Sequence, residues 1–172
     1  MNDKNETDND SIYFSVDPAP PLKLPKQVSL EEIERLKNIL IDEKESLFKR
    51  YQAMFCLRNI NTDESALALS CGLNCPDSAL FRHEIAFVLG QMQKPVTTDK
   101  LAEVLANKSE NEMVRHECAE ALGSIATDRT NELLKEYLND EQQVVRESAI
   151  VALDVSDYNN SEQFQLLESV VN

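Results

Sequence analysis

The sequence contains few glycine, proline and aromatic residues. Its 172 residues include three glycines, six prolines and no tryptophan, and aromatic residues make up 6%. Such scarcity does not suit a β-rich fold with many tight turns, especially as four of the prolines lie within residues 18–25. The rest of the chain is therefore predicted to be mostly helical.

Positive charge is also scarce. Seventeen lysines and arginines face 31 aspartates and glutamates, which gives a net charge of −14. We therefore expect neither nucleic acid nor a membrane as a partner, because both surfaces are anionic, whereas a basic protein is favoured. No segment approaches the roughly 20 apolar residues that span a bilayer, and residues 1–10 lack the pattern of a signal peptide. The predicted location is cytoplasmic.

The four cysteines do not form a zinc-site pattern. Cys71 and Cys75 make a single C-x3-C with no second pair at zinc-finger spacing, and they are predicted to flank a helix end at Gly72. Cys56 and Cys118 lie within apolar helical patterns. We expect these two to be reduced thiols that act as small core residues.

The chain divides into a tail and one domain. Residues 1–28 are rich in acidic and polar residues and then in proline, which predicts a disordered acidic tail and a Pro-rich linker. From Ser29 the pattern changes, because Ser29 and Glu32 have capping-box spacing and apolar residues follow at helical intervals. Residues 29–172 are predicted to form a HEAT-repeat domain.

The domain prediction depends on an internal repeat. Four segments align on arginines that are 32, 33 and 31 residues apart. In each copy, small or apolar residues follow the arginine by three, four and six positions, and a leucine follows by seven, which predicts one buried helix face. In the fourth copy these residues are Ala149, Ile150, Ala152 and Leu153. The four arginines are Arg50, Arg82, Arg115 and Arg146.

Shorter periodic runs lie between these helices, at 64–73, 98–107 and 130–138. Each repeat is therefore a pair of antiparallel helices, and a pair of about 32 residues buries its apolar face only by stacking on the next pair. The predicted fold is all-α, a HEAT-like α-solenoid of antiparallel helix pairs with about four repeats.

Two features of the repeat are predicted to be structural. The arginines occur in every copy, and we expect them to bond to carbonyls or acids of the neighbouring repeat. Gly90 and Gly123 occupy matching positions within the second helices of the middle repeats, where glycine costs about 1 kcal/mol relative to alanine. Close contact between stacked helices is the expected compensation, and a weak helix end is the alternative.

The two histidines occupy the same place in adjacent repeats, as Arg82-His83-Glu84 and Arg115-His116-Glu117. Equivalent helices of stacked repeats lie about 8–10 Å apart, so imidazoles on the same turn can reach one ion. Each following glutamate is turned by about 100° around the helix and can hold the same ion or face an adjacent cavity. Two histidines and a carboxylate suit non-haem Fe(II), with manganese and zinc as alternatives.

The segments 78–91 and 113–123, which contain both His-Glu pairs, resemble deoxyhypusine hydroxylase. Residues 16–21, 50–59 and 145–148 are similar to it too. This resemblance implies a HEAT-repeat enzyme that holds two irons and uses O2 to hydroxylate the deoxyhypusine side chain on a translation factor, its protein substrate.

The resemblance also implies roles for single residues. His83 and His116 would bind Fe(II), and Glu84 and Glu117 would divide metal coordination and contact with the substrate amine between them. Glu117 is favoured as the ligand and Glu84 as the catalytic residue that contacts the substrate, although either carboxylate can bind the metal.

The chain departs from the family in the number of motifs. The family has four His-Glu motifs, two in each half of a pseudo-symmetric chain, and the segments matched here belong to the C-terminal half. We therefore expect an iron-binding half whose diiron site is completed by a homodimer or by a missing N-terminal half, since a two-fold interface would present the motifs twice.

Two other functions are open at this point. A catalytically inactive HEAT scaffold could use its acidic surface to bind a basic protein partner. A HEAT domain of the phycobilin-lyase kind has similar repeats, although paired His-Glu motifs do not favour it.

Overall fold

The computed structural model describes residues 28–164, and within that range the chain is helical without strands. None of the helices in this range is long and apolar enough to cross a bilayer. The predicted tail and linker, apart from residue 28, and the end of the predicted domain lie outside the described residues. Eight α-helices lie wholly inside the range: α1 (Leu30–Ile41), α2 (Leu47–Ile60), α3 (Asp63–Ser70), α4 (Ala79–Met92), α5 (Thr98–Ala106), α6 (Glu112–Ile125), α7 (Asp128–Lys135) and α8 (Gln143–Asn159).

Most of these helices begin at a polar capping residue. The Ser29 hydroxyl accepts a hydrogen bond from the Glu32 backbone N–H, as its spacing predicts. Thr62 and Thr127 cap the short helices α3 and α7 in the same way, and their backbone N–H groups donate in return to the hydroxyls of Ser65 and Thr130, which completes a capping box. The recurring caps thus mark where most of the helices begin.

The helices stack as four antiparallel pairs, which confirms the predicted all-α HEAT-like solenoid. The longer second helices α2, α4, α6 and α8 lie side by side, with α6 packed against both α4 and α8. The predicted face is buried in three copies, where Leu57, Leu89 and Leu122 are inaccessible to solvent. Cys56 and Cys118 are buried and form no disulfide, as predicted, and burial raises the pKa of Cys56 to about 12.

The burial prediction is wrong for one residue of the fourth copy. Ile150 is 49% exposed, and Leu153 is only half-buried. Within residues 28–164, α8 packs against α6 and α7, and no later helix pair covers its other side. The repeat pattern therefore predicts α8 correctly but overestimates its burial.

The repeat arginines have the structural role that the sequence predicts. Arg50 Nε donates to the Leu40 carbonyl at 2.9 Å, and its guanidinium binds Asp77 at 2.6 Å. Arg115 repeats this arrangement with the Leu105 carbonyl and with Asp140. Each of these two arginines thus joins the first helix of its own repeat to the loop between the two helices of the next repeat. Arg82 and Arg146 also bond to backbone carbonyls of preceding loops, and Arg82 pairs with Glu110.

We expect Asp140→Asn to lower the free energy of unfolding by about 2 kcal/mol at pH 7, because it leaves the buried Arg115 charge without its anion. The hydrogen bond from Arg115 holds the pKa of Asp140 below its ordinary value. This stabilisation is present above the unfolded-state pKa and is lost as pH falls through the folded-state pKa, so the effect of the substitution should shrink below about pH 4.

Urea unfolding of the wild type and the variant at pH 7 and pH 3.5 measures this effect. Glu141→Gln is the matched control, since the neighbouring Glu141 pairs with Lys108 on the surface and should contribute little. Equal stability of the two variants at pH 7 would show that the buried pair does not stabilise the stack.

Candidate metal centre

The two histidines lie next to each other on neighbouring helices. His83 is the fifth residue of α4 and His116 the fifth residue of α6. Their rings stack with centroids 6.2 Å apart and planes inclined by 26°. The repeat register therefore brings the imidazoles together on the same turn, as the sequence predicts.

A carboxylate oxygen lies between the two imidazoles. Glu117 Oε2 is 3.2 Å from His83 Nε2 and 3.5 Å from His116 Nε2. One ligand atom from each of His83, His116 and Glu117 falls within 4.8 Å of the others. Two ligands about 2.1 Å from one ion and at right angles lie about 3.0 Å apart, so this spacing fits a shared metal.

The electrostatics of Glu117 also fit a cation. The residue is 7% exposed. Burial, together with the nearby Glu120 and Glu84 carboxylates, raises its pKa to about 7. A carboxylate held in such a place is costly when charged, and a metal ion bound to it would offset that cost.

Glu84 lies outside this group. Its Oε1 is 3.6 Å from His83 Nδ1, which is the ring nitrogen on the other side from the one that faces Glu117. That distance is too long for a hydrogen bond, and the buried Nδ1 has no partner among the described residues. The structure thus separates the two glutamates: one lies between the imidazoles and the other lies beside the first of them.

Sequence reasoning missed one residue at the centre. Ser148, on α8, has its hydroxyl oxygen 2.6 Å from His116 Nδ1. In the repeat register Ser148 occupies the place that Glu117 has in the preceding copy, two positions after the arginine. The contact of Glu117 with His83 is the same contact one repeat earlier, so the register contained the signal.

The first repeat has a tyrosine at the histidine position. Tyr51 stands where the two middle copies have histidine, and its ring lies 5.4 Å from that of Phe81 and 6.3 Å from that of Phe55. Among the described residues, the one cluster of His, Cys, Asp and Glu side chains that could hold a metal ion lies in the two middle repeats.

Comparison with known proteins agrees with both the fold and the family resemblance. Residues 67–154 match the family described as HEAT repeats. The chain is 55% identical over 162 residues to deoxyhypusine hydroxylase of Candida albicans, which covers 94% of this chain and 50% of that protein. The enzyme of Saccharomyces cerevisiae is 53% identical over 155 residues, 90% of this chain and 46% of that protein.

A solved structure gives the same result. Human deoxyhypusine hydroxylase in complex with glycerol is similar with a TM-score of 0.73 and 50% identity, over 85% of this chain and 48% of that one. The chain spans about half the length of the curated relatives it matches. The chain therefore belongs to the HEAT-repeat family, in which it resembles half of a deoxyhypusine hydroxylase.

Proposed function

We propose that the chain is the iron-binding half of an O2-dependent deoxyhypusine hydroxylase. The observation that carries this proposal is the position of one Glu117 oxygen within 3.2 and 3.5 Å of the Nε2 atoms of His83 and His116. The relatives named deoxyhypusine hydroxylase support the reaction, which is hydroxylation of deoxyhypusine. The family resemblance implies that this side chain lies on a translation factor.

The donor set favours Fe(II). Two imidazoles and one carboxylate leave coordination positions open, as non-haem Fe(II) oxygenases require. When bound, the iron would supply O2 activation, with one oxygen atom entering a substrate C–H bond and the other leaving as water after two electrons from an external reductant. His83, His116 and Glu117 would hold the metal, and Glu84 would stay available as an anionic contact for the substrate amine.

The surface around the centre supports completion by a second body. Both imidazoles keep part of their surface in solvent, 25% for His83 and 19% for His116. Leu80 and Met113 lie three residues before the histidines, on the same helix face, and are 65% and 46% exposed. Phe48 holds the equivalent position in the first repeat and is 62% exposed. We infer that this apolar border is covered by a second copy or an N-terminal half, which would supply the remaining iron ligands.

Hydroxylation assays test this function. The chain, loaded anaerobically with Fe(II), is mixed with O2, a reductant and a translation factor that carries deoxyhypusine, and mass spectrometry detects the added oxygen atom. We expect little product from the chain when light scattering shows a monomer. We expect product once a dimer forms or an N-terminal half from the human relative is added.

Two results would contradict the proposal. Product from a chain that is monomeric throughout would show that a second half is not needed. Bound iron with no product, even with the complementing half present, would favour the inactive scaffold, and partner binding that survives chelation would support that alternative.

A further inference from the structure

A serine of the fourth repeat contacts the candidate metal centre from behind. Ser148 is 4% exposed on α8, and its hydroxyl oxygen has two close polar neighbours. One is His116 Nδ1 at 2.6 Å, and the other is the Val144 carbonyl oxygen at 2.7 Å. These two contacts decide where the protons lie.

The hydroxyl has a single proton to donate. A carbonyl oxygen can only accept, so the contact with Val144 requires Ser148 to donate there. The same oxygen must then accept a hydrogen bond from His116, which places the ring proton on Nδ1. In the neutral imidazole the other nitrogen, Nε2, then keeps its lone pair, and this nitrogen faces Glu117.

We propose that Ser148 is a positioning residue that holds His116 in the Nδ1–H tautomer and in the ring orientation that directs Nε2 at the metal. The assignment rests on the proposed function for its metal and on the hydrogen bonds for its tautomer. Metal-binding histidines commonly donate a hydrogen bond from the N–H of their second ring nitrogen to a nearby oxygen, which fixes both the ring orientation and the tautomer.

The repeat explains why a serine serves here. The residue two positions after the arginine reaches back to the imidazole of the preceding copy, as Glu117 does to His83 and Ser148 to His116. In the third copy that residue is a carboxylate near Nε2, and in the fourth it is a hydroxyl near Nδ1. Glu117 of the third copy would thus be a metal ligand itself, whereas Ser148 of the fourth copy would support the ligand His116.

Glu120 is the competing acceptor for the same ring nitrogen. Its Oε1 lies 3.4 Å from His116 Nδ1, and its side chain is 40% exposed. The Ser148 contact is shorter and buried, so we expect it to dominate. Substitution of Ser148 should therefore change the tautomer even with Glu120 present.

Nitrogen-15 NMR of the metal-free protein tests the assignment. His83→Gln identifies the signals of the two histidines, and the wild type should show His116 with its proton on Nδ1. Ser148→Ala should move the population towards Nε2–H and weaken Fe(II) binding about tenfold, the lower end for loss of an outer partner. Ser148→Thr keeps the hydroxyl and should restore both properties.

Ser156→Ala is the matched control. This serine is fully buried on the same helix, and its hydroxyl has no hydrogen-bond partner among the described residues. We expect the control to leave both the His116 tautomer and the Fe(II) affinity unchanged.

The outcomes separate the inference from the proposed function. An unchanged tautomer in Ser148→Ala, or Nε2–H in the wild type, would overturn the role of Ser148 whatever the metal result. A tautomer shift with unchanged Fe(II) affinity would overturn its effect on the metal. If the wild type bound no Fe(II) but the tautomer shifted, the hydrogen-bond assignment would stand and the proposed function would fail.

Discussion

Replacing Glu117 with glutamine is expected to lower the affinity for Fe(II) by at least about 100-fold, since removing a ligand should cost at least as much as removing an outer partner. Glu84→Gln should leave the affinity within about threefold of the wild type. The two glutamates follow the two histidines in adjacent copies of one motif, so they form a matched pair. Only Glu117 has an oxygen between the imidazoles.

Anaerobic titration with Fe(II) and metal analysis after gel filtration measure the difference. Glu84→Gln should retain iron but lose turnover in the assay with the completed site, because it removes the proposed contact with the substrate amine. Equal loss of iron from both variants would contradict the division of roles and return Glu84 to the ligand set.

Gly123→Val is expected to lower the free energy of unfolding by at least about 3 kcal/mol, which is the upper end of the usual cost of overpacking. A Cβ built on Gly123 would lie 2.5 Å from the Ala152 carbonyl oxygen and 2.6 Å from its Cα. Those are backbone atoms of α8, so the two helices would have to move apart. The close approach that the sequence predicts for the two matching glycines is thereby confirmed, most clearly at Gly123.

Gly90→Ala is the comparison for this effect. A Cβ there would meet the Ala121 Cα at 3.1 Å, which a small shift can relieve, and alanine favours a helix by about 1 kcal/mol. We expect stability within about 1 kcal/mol of the wild type. In thermal and urea unfolding, stability should decrease in the order Gly90→Ala, Gly123→Ala, Gly123→Val. Wild-type stability of Gly123→Val would contradict the close packing of α6 on α8.

The repeat pattern predicts much of the structure because the copies share most of their physical requirements. In every copy the arginine bonds to a backbone carbonyl, in the first three copies the leucine is buried, and a side-chain cap begins most of the helices. Because the same arrangement recurs from copy to copy, His83 and His116 lie on the same turn of neighbouring helices, with ring centroids 6.2 Å apart. The fold and the pairing of imidazoles could therefore be predicted from spacing alone.

The direction in which the glutamates reach could not be predicted in this way. A turn of about 100° puts each glutamate on another side of its helix, but the handedness of the stack decides whether that side meets the preceding or the following copy. In the structure that side of the helix faces the preceding copy, so Glu117 contacts His83 and Ser148 contacts His116. The copy before that of Glu84 has Tyr51 at the histidine position, so it provides no imidazole for Glu84 to contact.

The most direct test of the metal centre is anomalous diffraction at the iron absorption edge from crystals loaded anaerobically with Fe(II). We predict one peak per chain, about 2.0–2.2 Å from Nε2 of His83, Nε2 of His116 and an oxygen of Glu117. The peak should vanish when both histidines are replaced by alanine. Iron bound elsewhere on the wild-type chain, with these three side chains uncoordinated, would contradict the central claim.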